Sequence, residues 1–262
     1  MHWLCHELFN RMPPGAVAGG IAVVIDVLRA STTIVTALAH GAAGVRPVPT
    51  VEEARAVAGG GGAGPRTLLG GERGGLRIDG FDLGNSPLEY AADRVAGRRI
   101  VITTTNGTAA LAASTAASEV LIGAIVNRAA VATLARSLAA ARGTPEIHLV
   151  CAGTDGVVTE EDLLAAGAIL DAAARHASAV DDTLDPAACA ALATFREAAA
   201  AAGGDLPRGI AAAFARSLGG TNLVALGMEA DLPAAAAIDS LPAVPRLDRH
   251  TGWLSAARLD PA

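Results

Sequence analysis

The sequence predicts an α/β fold: three layers, a mainly parallel sheet with crossover helices, and an alanine-rich helical C-terminal region. Three observations predict it. Short runs rich in Val and Ile that do not alternate with polar residues, such as Ile21–Asp26, Ile100–Thr104 and Ile147–Cys151, read as strands buried on both faces. Helical stretches separate these runs at the interval expected of right-handed crossovers. From Asp181 to Ala237 alanine dominates and the strand pattern disappears.

The elements follow in order. Ile21–Asp26 is a strand, and Ala30–His40 a helix ended by Gly41. Val45–Val48 is a short strand. Val51–Ala58 is a helix opened by Thr50 as N-cap, with Glu53 three residues later in a capping-box pattern. Gly59–Pro65 is a glycine-rich turn, and Thr67–Gly70 a strand followed by an irregular segment through Pro87. Leu88–Val95, Thr108–Ala117, Arg128–Ala141 and Glu161–His176 are helices, and Val120–Ile122 is a further strand. Breaks at Gly203–Gly204, Pro207, Gly219–Gly220 and Pro233 divide the C-terminal region into short helices. Leu241–Leu247 reads as an edge strand, because its prolines cannot donate to a ladder. The 262 residues suit one α/β domain spanning 1–262, with about 181–240 open to reading as a helical sub-lobe.

Composition narrows the function. All 20 basic residues are arginine and there is no lysine, so an arginine carries little information by itself. A net charge of -6 argues against nucleic-acid binding, which needs a basic face. The three cysteines are widely spaced and form neither a zinc pattern nor a disulfide framework, as expected in a reducing cytoplasm. The N-terminal MHWLCHELFNRMPPG lacks the apolar core of a signal peptide, and no apolar run reaches the ~18 residues needed to cross a bilayer. The expectation is a soluble, cytoplasmic protein.

Chemistry-bearing residues gather where strands end, which is where open parallel sheets bind ligands. Asp26 closes the first apolar run and is either a magnesium ligand or a cap for the following turn. Arg29, Ser31, Thr32 and Thr33 follow it, offering a guanidinium fork, hydroxyls and helix amides to an oxyanion. In GGERGG (Gly70–Gly75), Glu72 is suited to metal and Arg73 to an anion; alternatively, the two pair with each other. Asp82 is a site residue or a loop-ordering one, and Ser86 before Pro87 reads as a cap. TTTNGT (Thr103–Thr108) is strand–turn–helix punctuation or an anion nest made by Thr105, Asn106, Gly107 and Thr108. Beyond the last strand come Asp155 and then Glu160, Glu161 and Asp162. Cys151 reads as a buried core thiol.

Taken together, VVIDVLRASTTIVTALAHGA, LLGGERGGLRIDGFDLGNSP, VITTTNGTAAL, VCAGTDG…EDLLAAGAI and GMEADLPAAAAID resemble the 2-phosphosulfolactate phosphatase family, over about Ile21 to beyond Asp239. The resemblance implies a magnesium-dependent hydrolysis of 2-phospho-3-sulfolactate to 3-sulfolactate and phosphate, a step of sulfolactate production and, in some organisms, of coenzyme M biosynthesis. Mapped onto this chain, Asp26, Glu72 and Asp155 are the expected Mg²⁺ ligands. Arg29, Ser31, Arg73, Thr105, Asn106, Gly107 and Thr108 are the expected substrate contacts, and Asp82 or Glu161 is expected to orient water or protonate the leaving group. One departure stands out: Ala109 follows TTTNGT where the family often has a basic residue. Asp26 lacks the DxDx(T/V) setting of a phosphorylated aspartate, since Leu28 stands third, so direct hydrolysis is expected. The alternatives are another small phosphorylated hydroxy acid as substrate, or a non-catalytic anion-binding relative. The expected partner is a small anionic phosphomonoester, without nucleic acid or membrane, and a homodimer is compatible with the apolar helices.

Overall fold

The Val- and Ile-rich runs become the middle of a large mixed, mostly parallel sheet. A computed structural model describes residues 1–60, 67–175 and 181–257. Its strands are β1 (His2–His6), β2 (Ile21–Ile25), β3 (Gly44–Pro47), β4 (Leu68–Arg73), β5 (Leu76–Arg77), β6 (Arg99–Thr103), β7 (Glu119–Ile122), β8 (Glu146–Cys151), β9 (Thr183–Leu184), β10 (Pro245–Leu247) and β11 (Leu254–Ala256). Their spatial order is β5-β4-β6-β3-β11-β10-β7-β2-β8-β1-β9. Two parallel blocks, β4-β6-β3 and β7-β2-β8-β1-β9, are joined by the antiparallel pair β10 and β11.

The helices are α1 (Ala30–Ala39), α2 (Val51–Gly59), α3 (Ala92–Val95), α4 (Gly107–Ala113), α5 (Arg128–Arg142), α6 (Glu160–Ala174), α7 (Pro186–Ala201), α8 (Leu206–Arg216), α9 (Leu218–Ala225) and α10 (Asp231–Ala235). The arrangement is three-layer α/β. Every residue of β2 is buried, as a strand covered on both faces must be. Val23 aligns with Leu121 of β7 and Leu149 of β8, and Val131 of α5 and Ile169 of α6 close over it at Gly123. Each such buried aliphatic contributes about 1.5–3 kcal/mol. At α2, the Thr50 hydroxyl accepts from the Glu53 N–H at 3.1 Å, as the capping pattern predicts. No described helix is long and apolar enough to cross a membrane.

Several expectations are corrected. His2–His6, read above only for a leader signal, forms β1; Trp3 and Cys5 face inward while His2, Leu4 and His6 are half-exposed, an alternation visible in the sequence. Leu241–Leu247 is not an edge strand. Its last three residues form β10 inside the sheet, where Pro245 is the first strand residue and only Arg246 bridges to β7, at Leu121. Leu88–Val95 breaks into a 3₁₀ turn, Pro87–Glu89, and the single turn of α3. Gly219–Gly220, Pro207 and Pro233 lie inside the first turns of their helices, a position that tolerates proline. Ser217 is the real boundary, its hydroxyl accepting from the Gly220 N–H at 3.2 Å. Most of the Gly59–Pro65 turn, and the His176 end of the α6 prediction, fall outside the described residues.

Glu119 opens β7 at the end of the sheet where the parallel strands start. It is 4% exposed. Arg246 of β10 donates to it through Nε and Nη2, both at 2.7 Å, and Arg142 of α5 adds Nε at 3.0 Å. This bidentate pairing fastens the antiparallel insertion to the parallel block. Burial pushes the Glu119 carboxyl up, but the two arginines outweigh it and hold it below its usual range.

Candidate active site

The carboxyl ends of β2, β4, β6 and β8 open into one cleft of about 370 Å³, whose fourth side is α9. Asp26, Glu72, Thr105, Asn106 and Asp155, all singled out from sequence, line it together with Arg29. The convergence follows from topology, since every crossover returns the chain to the same edge.

Asp26 does the capping job considered for it. Its Oδ1 accepts from the Ala30 N–H at 3.3 Å, capping α1, while the side chain faces the cleft. The turn is locked by Ser31, whose buried hydroxyl accepts from the Asp26 N–H at 2.9 Å; Ser31 supports Asp26 and does not line the cleft. Gly107 is required beside it, because a Cβ there would come within 2.6 Å of Asp26 Oδ2. Burial, then the charges of Glu72 and Glu161, push the Asp26 carboxyl up to about 7, against the opposing pull of the Ala30 and Gly107 amides.

Glu72 is 7% exposed and fixed on both oxygens. Oε1 accepts from the Thr105 N–H at 2.7 Å and hydroxyl at 2.9 Å, and Oε2 from the Gly75 N–H at 2.8 Å. It does not pair with Arg73. Successive residues of a strand point to opposite faces, so Arg73 turns away to the Thr103 hydroxyl at 3.0 Å and the Pro49 carbonyl at 3.3 Å and does not line the cleft.

Arg29 is 4% exposed and already paired. Nη1 donates to Asp231 Oδ2 at 2.7 Å and Met228 Sδ at 2.8 Å, and Nη2 to the Gly75 carbonyl at 2.7 Å; no hydrogen bond among the described residues uses Nε–H or the second Nη2–H, and the residue lines the cleft. Two of the amides expected to form an anion nest are occupied: Thr105 N–H goes to Glu72 and Thr108 N–H to Thr104 Oγ1 at 3.3 Å, while the Gly107 amide favours the ionised Asp26. Thr108 is buried away from the cleft, its hydroxyl donating to the Thr104 carbonyl. Asn106 Oδ1 accepts from the Asp155 N–H at 3.4 Å, and Asp155 itself is exposed at the cleft mouth.

The two acids expected to handle water lie elsewhere. Asp82 Oδ2 accepts from the Leu69 N–H at 2.9 Å and orders the β4 loop. Glu161 is 2% exposed behind α9, with Oε1 accepting from the Gly219 N–H at 3.0 Å. Any side chain at 219 would collide with it, a Cβ meeting Oε1 at 2.2 Å. Burial raises the Glu161 carboxyl. Its neighbour Asp162, 3% exposed, clamps the turns after β2 and β8 by accepting from Val27 N–H and Gly153 N–H, both at 2.9 Å.

The cleft edge is therefore acidic. Among the described residues no three His, Cys, Asp or Glu side chains converge closely enough to hold a metal ion by themselves. Asp26, its carboxyl raised first by burial and then by Glu72 and Glu161, nevertheless fits a divalent cation completed by water and substrate oxygens, as hard magnesium usually is.

The profile of the 2-phosphosulpholactate phosphatase family matches residues 8–250. The chain belongs to this family. It is 45% identical over 230 residues, 87% of each chain, to a probable 2-phosphosulfolactate phosphatase of Deinococcus radiodurans. It is 40% identical over 245 residues to one of Synechococcus sp. (strain RCC307), covering 91% of this chain and 93% of that one. For this family member, sequence reasoning missed Asn85 and Asn222, which line the cleft, and Asp231, which holds Arg29. Ala109, where the family often carries a basic residue, does not line the cleft.

Proposed function

We propose that this protein hydrolyses 2-phospho-3-sulfolactate to 3-sulfolactate and inorganic phosphate, with Mg²⁺ as its cation, in the cytoplasm. The family match and the names of the relatives support the substrate. The observation that carries the metal-dependent reading is the charge balance of the cleft. Asp26, Glu72 and Asp155 face it, whereas Arg29 is neutralised by Asp231. A polyanion enters such a site only with a cation.

Asp26 would hold that cation, with Glu72 and Asp155 lining the same cleft; when bound it would supply charge neutralisation and polarise a phosphoryl oxygen. Arg29 turns its remaining N–H groups to the substrate. Asp155, in the cleft's solvent, orients the attacking water. The amides on Asp26 hold its carboxylate as a fixed ligand rather than a mobile nucleophile, which favours direct hydrolysis.

Phosphate release from 2-phospho-3-sulfolactate by purified protein, with magnesium and then with EDTA, tests this. The expected outcome is turnover that falls about 100-fold or more on chelation, the several kcal/mol of a metal's contribution. Equal turnover with EDTA rejects the metal. Cleavage of a generic phosphomonoester but not of the sulfonated one rejects the substrate.

A further inference from the structure

One polar side chain in the cleft has no work to do inside the protein. Asn85 is 6% exposed, its backbone carbonyl accepts from the Thr33 hydroxyl at 2.7 Å, and its Oδ1 is buried without any hydrogen-bond partner. No hydrogen bond of the described residues uses its Nδ2 either, although the residue lines the cleft. A buried amide left unpaired costs stability, so such groups are nearly always satisfied. Asn85 is, moreover, tied to Arg29. Its neighbour Ser86 donates to Asp231 Oδ1 at 2.5 Å, and Oδ2 of the same carboxylate takes the Arg29 guanidinium. The cleft is thus lined both by acidic side chains, Asp26, Glu72 and Asp155, and by hydrogen-bond donors, Arg29 and Asn85.

Resting on the substrate reading above, we propose that Asn85, beside Arg29, is the residue that receives the sulfonate of the substrate. Phosphoryl and carboxylate oxygens are good ligands for a hard cation and belong with the acidic side chains. A sulfonate is a very weak base, competes poorly for the cation, and is better held by neutral and guanidinium N–H donors. The Asn85 Nδ2, free of protein partners, presents its hydrogens to a sulfonate oxygen, while the buried acceptor Oδ1 takes no part in holding the anion.

The test is calorimetric binding of 3-sulfolactate and, separately, of inorganic phosphate to the full chain with magnesium, for wild type, Asn85→Ala and Asn85→Asp. Steady-state kinetics on 2-phospho-3-sulfolactate and on 2-phospholactate, which lacks the sulfonate, accompany it. Losing one donor to a charged acceptor predicts a 3-sulfolactate Kd raised about 10-fold or more in Asn85→Ala, and further in the charged Asn85→Asp. Phosphate affinity stays within about twofold, KM rises while kcat holds within about threefold, and the preference for the sulfonated substrate shrinks by the factor lost in binding. Because the side chain makes no internal hydrogen bond, Tm is expected to hold; the isosteric Asn85→Asp carries the test if Asn85→Ala is poorly folded. Unchanged sulfolactate affinity, or an equal loss for phosphate, overturns the assignment while wild-type turnover leaves the substrate reading standing. Sulfolactate binding that needs Asn85, in a protein that does not hydrolyse the phosphate ester, overturns the hydrolytic reading and keeps the subsite. A wild type that neither binds 3-sulfolactate nor acts on its phosphate ester overturns both.

Discussion

Glu119 and Asp26 are carboxylates at opposite ends of neighbouring parallel strands, β7 and β2, and the fold treats them in opposite ways. Around Glu119 the chain supplies more positive charge than negative. Arg142 and Arg246 converge on one buried carboxylate and hold it below its usual range. Around Asp26 it supplies the reverse: Glu72, Glu161 and Asp162 crowd the same strand ends, and the one guanidinium lining that cleft is spent on Asp231. The first cluster is electrically finished and serves the fold. The second is left incomplete, a destabilising arrangement that a bound cation and substrate would complete. Perturbed carboxylates mark function when, as at Asp26, burial and like charges outweigh the amides that oppose them.

The largest effect expected from breaking this contrast is on chemistry. Asp26→Asn should lower kcat/KM about 10³-fold or more, a loss of several kcal/mol of transition-state stabilisation, while leaving the protein folded. Steady-state kinetics with an unfolding curve checks both halves, and near-normal turnover would remove Asp26 from the site. Next comes Glu119→Ala, which leaves two arginines without their acceptor. It should cost about 2–3 kcal/mol in urea unfolding, discounted because both arginines are half-exposed, with activity per folded molecule within about twofold. A neutral result would mean that the Glu119 cluster contributes nothing to holding the β10 insertion.

How far the sequence foresaw this depends on reach along the chain. Asp26, Glu72, Thr105, Asn106 and Asp155 were legible because each directly follows an apolar run, and a parallel sheet gathers such ends. Arg73 was misplaced because the alternation that buries Glu72 sends the next residue the other way. Asp82 and Glu161 had the right chemistry, but their partners, Leu69 and Gly219, are set by tertiary packing. Arg29 meets Asp231 across 202 positions, and no local pattern announces such a pair. Asn85, within DGFDLGNSP, was given no role, because an unpaired amide is visible only once every neighbour is placed. The fold was read more fully: the buried strands stand where the non-alternating runs are, whereas β1 was passed over although it alternates, and β10 was placed at an edge although it lies inside the sheet.

The smallest expected effect is also the one that separates the two carboxylates most sharply, because they give stability opposite slopes with pH. Asp26 goes from 3.8 unfolded to about 7 folded, so between these values the native state holds a proton that the unfolded chain has released, and stability falls as pH rises. Glu119 is lowered from 4.5, so its contribution is fully present above that value and is lost as pH falls through it. Asp26→Asn should therefore be more stable than wild type by about 1–2 kcal/mol at pH 8, with the advantage fading toward pH 4; Glu119→Gln should be less stable than wild type at pH 8, with the deficit shrinking below pH 4.5. Denaturant unfolding of the three proteins at several pH values measures both slopes. Adding magnesium at pH 8 sharpens the result, since a cation that binds the ionised Asp26 raises the stability of wild type and not of Asp26→Asn. Parallel slopes in all three proteins would show that the acidic end of the sheet is as well balanced as the Glu119 end, and would remove the electrostatic case for a cation in the cleft.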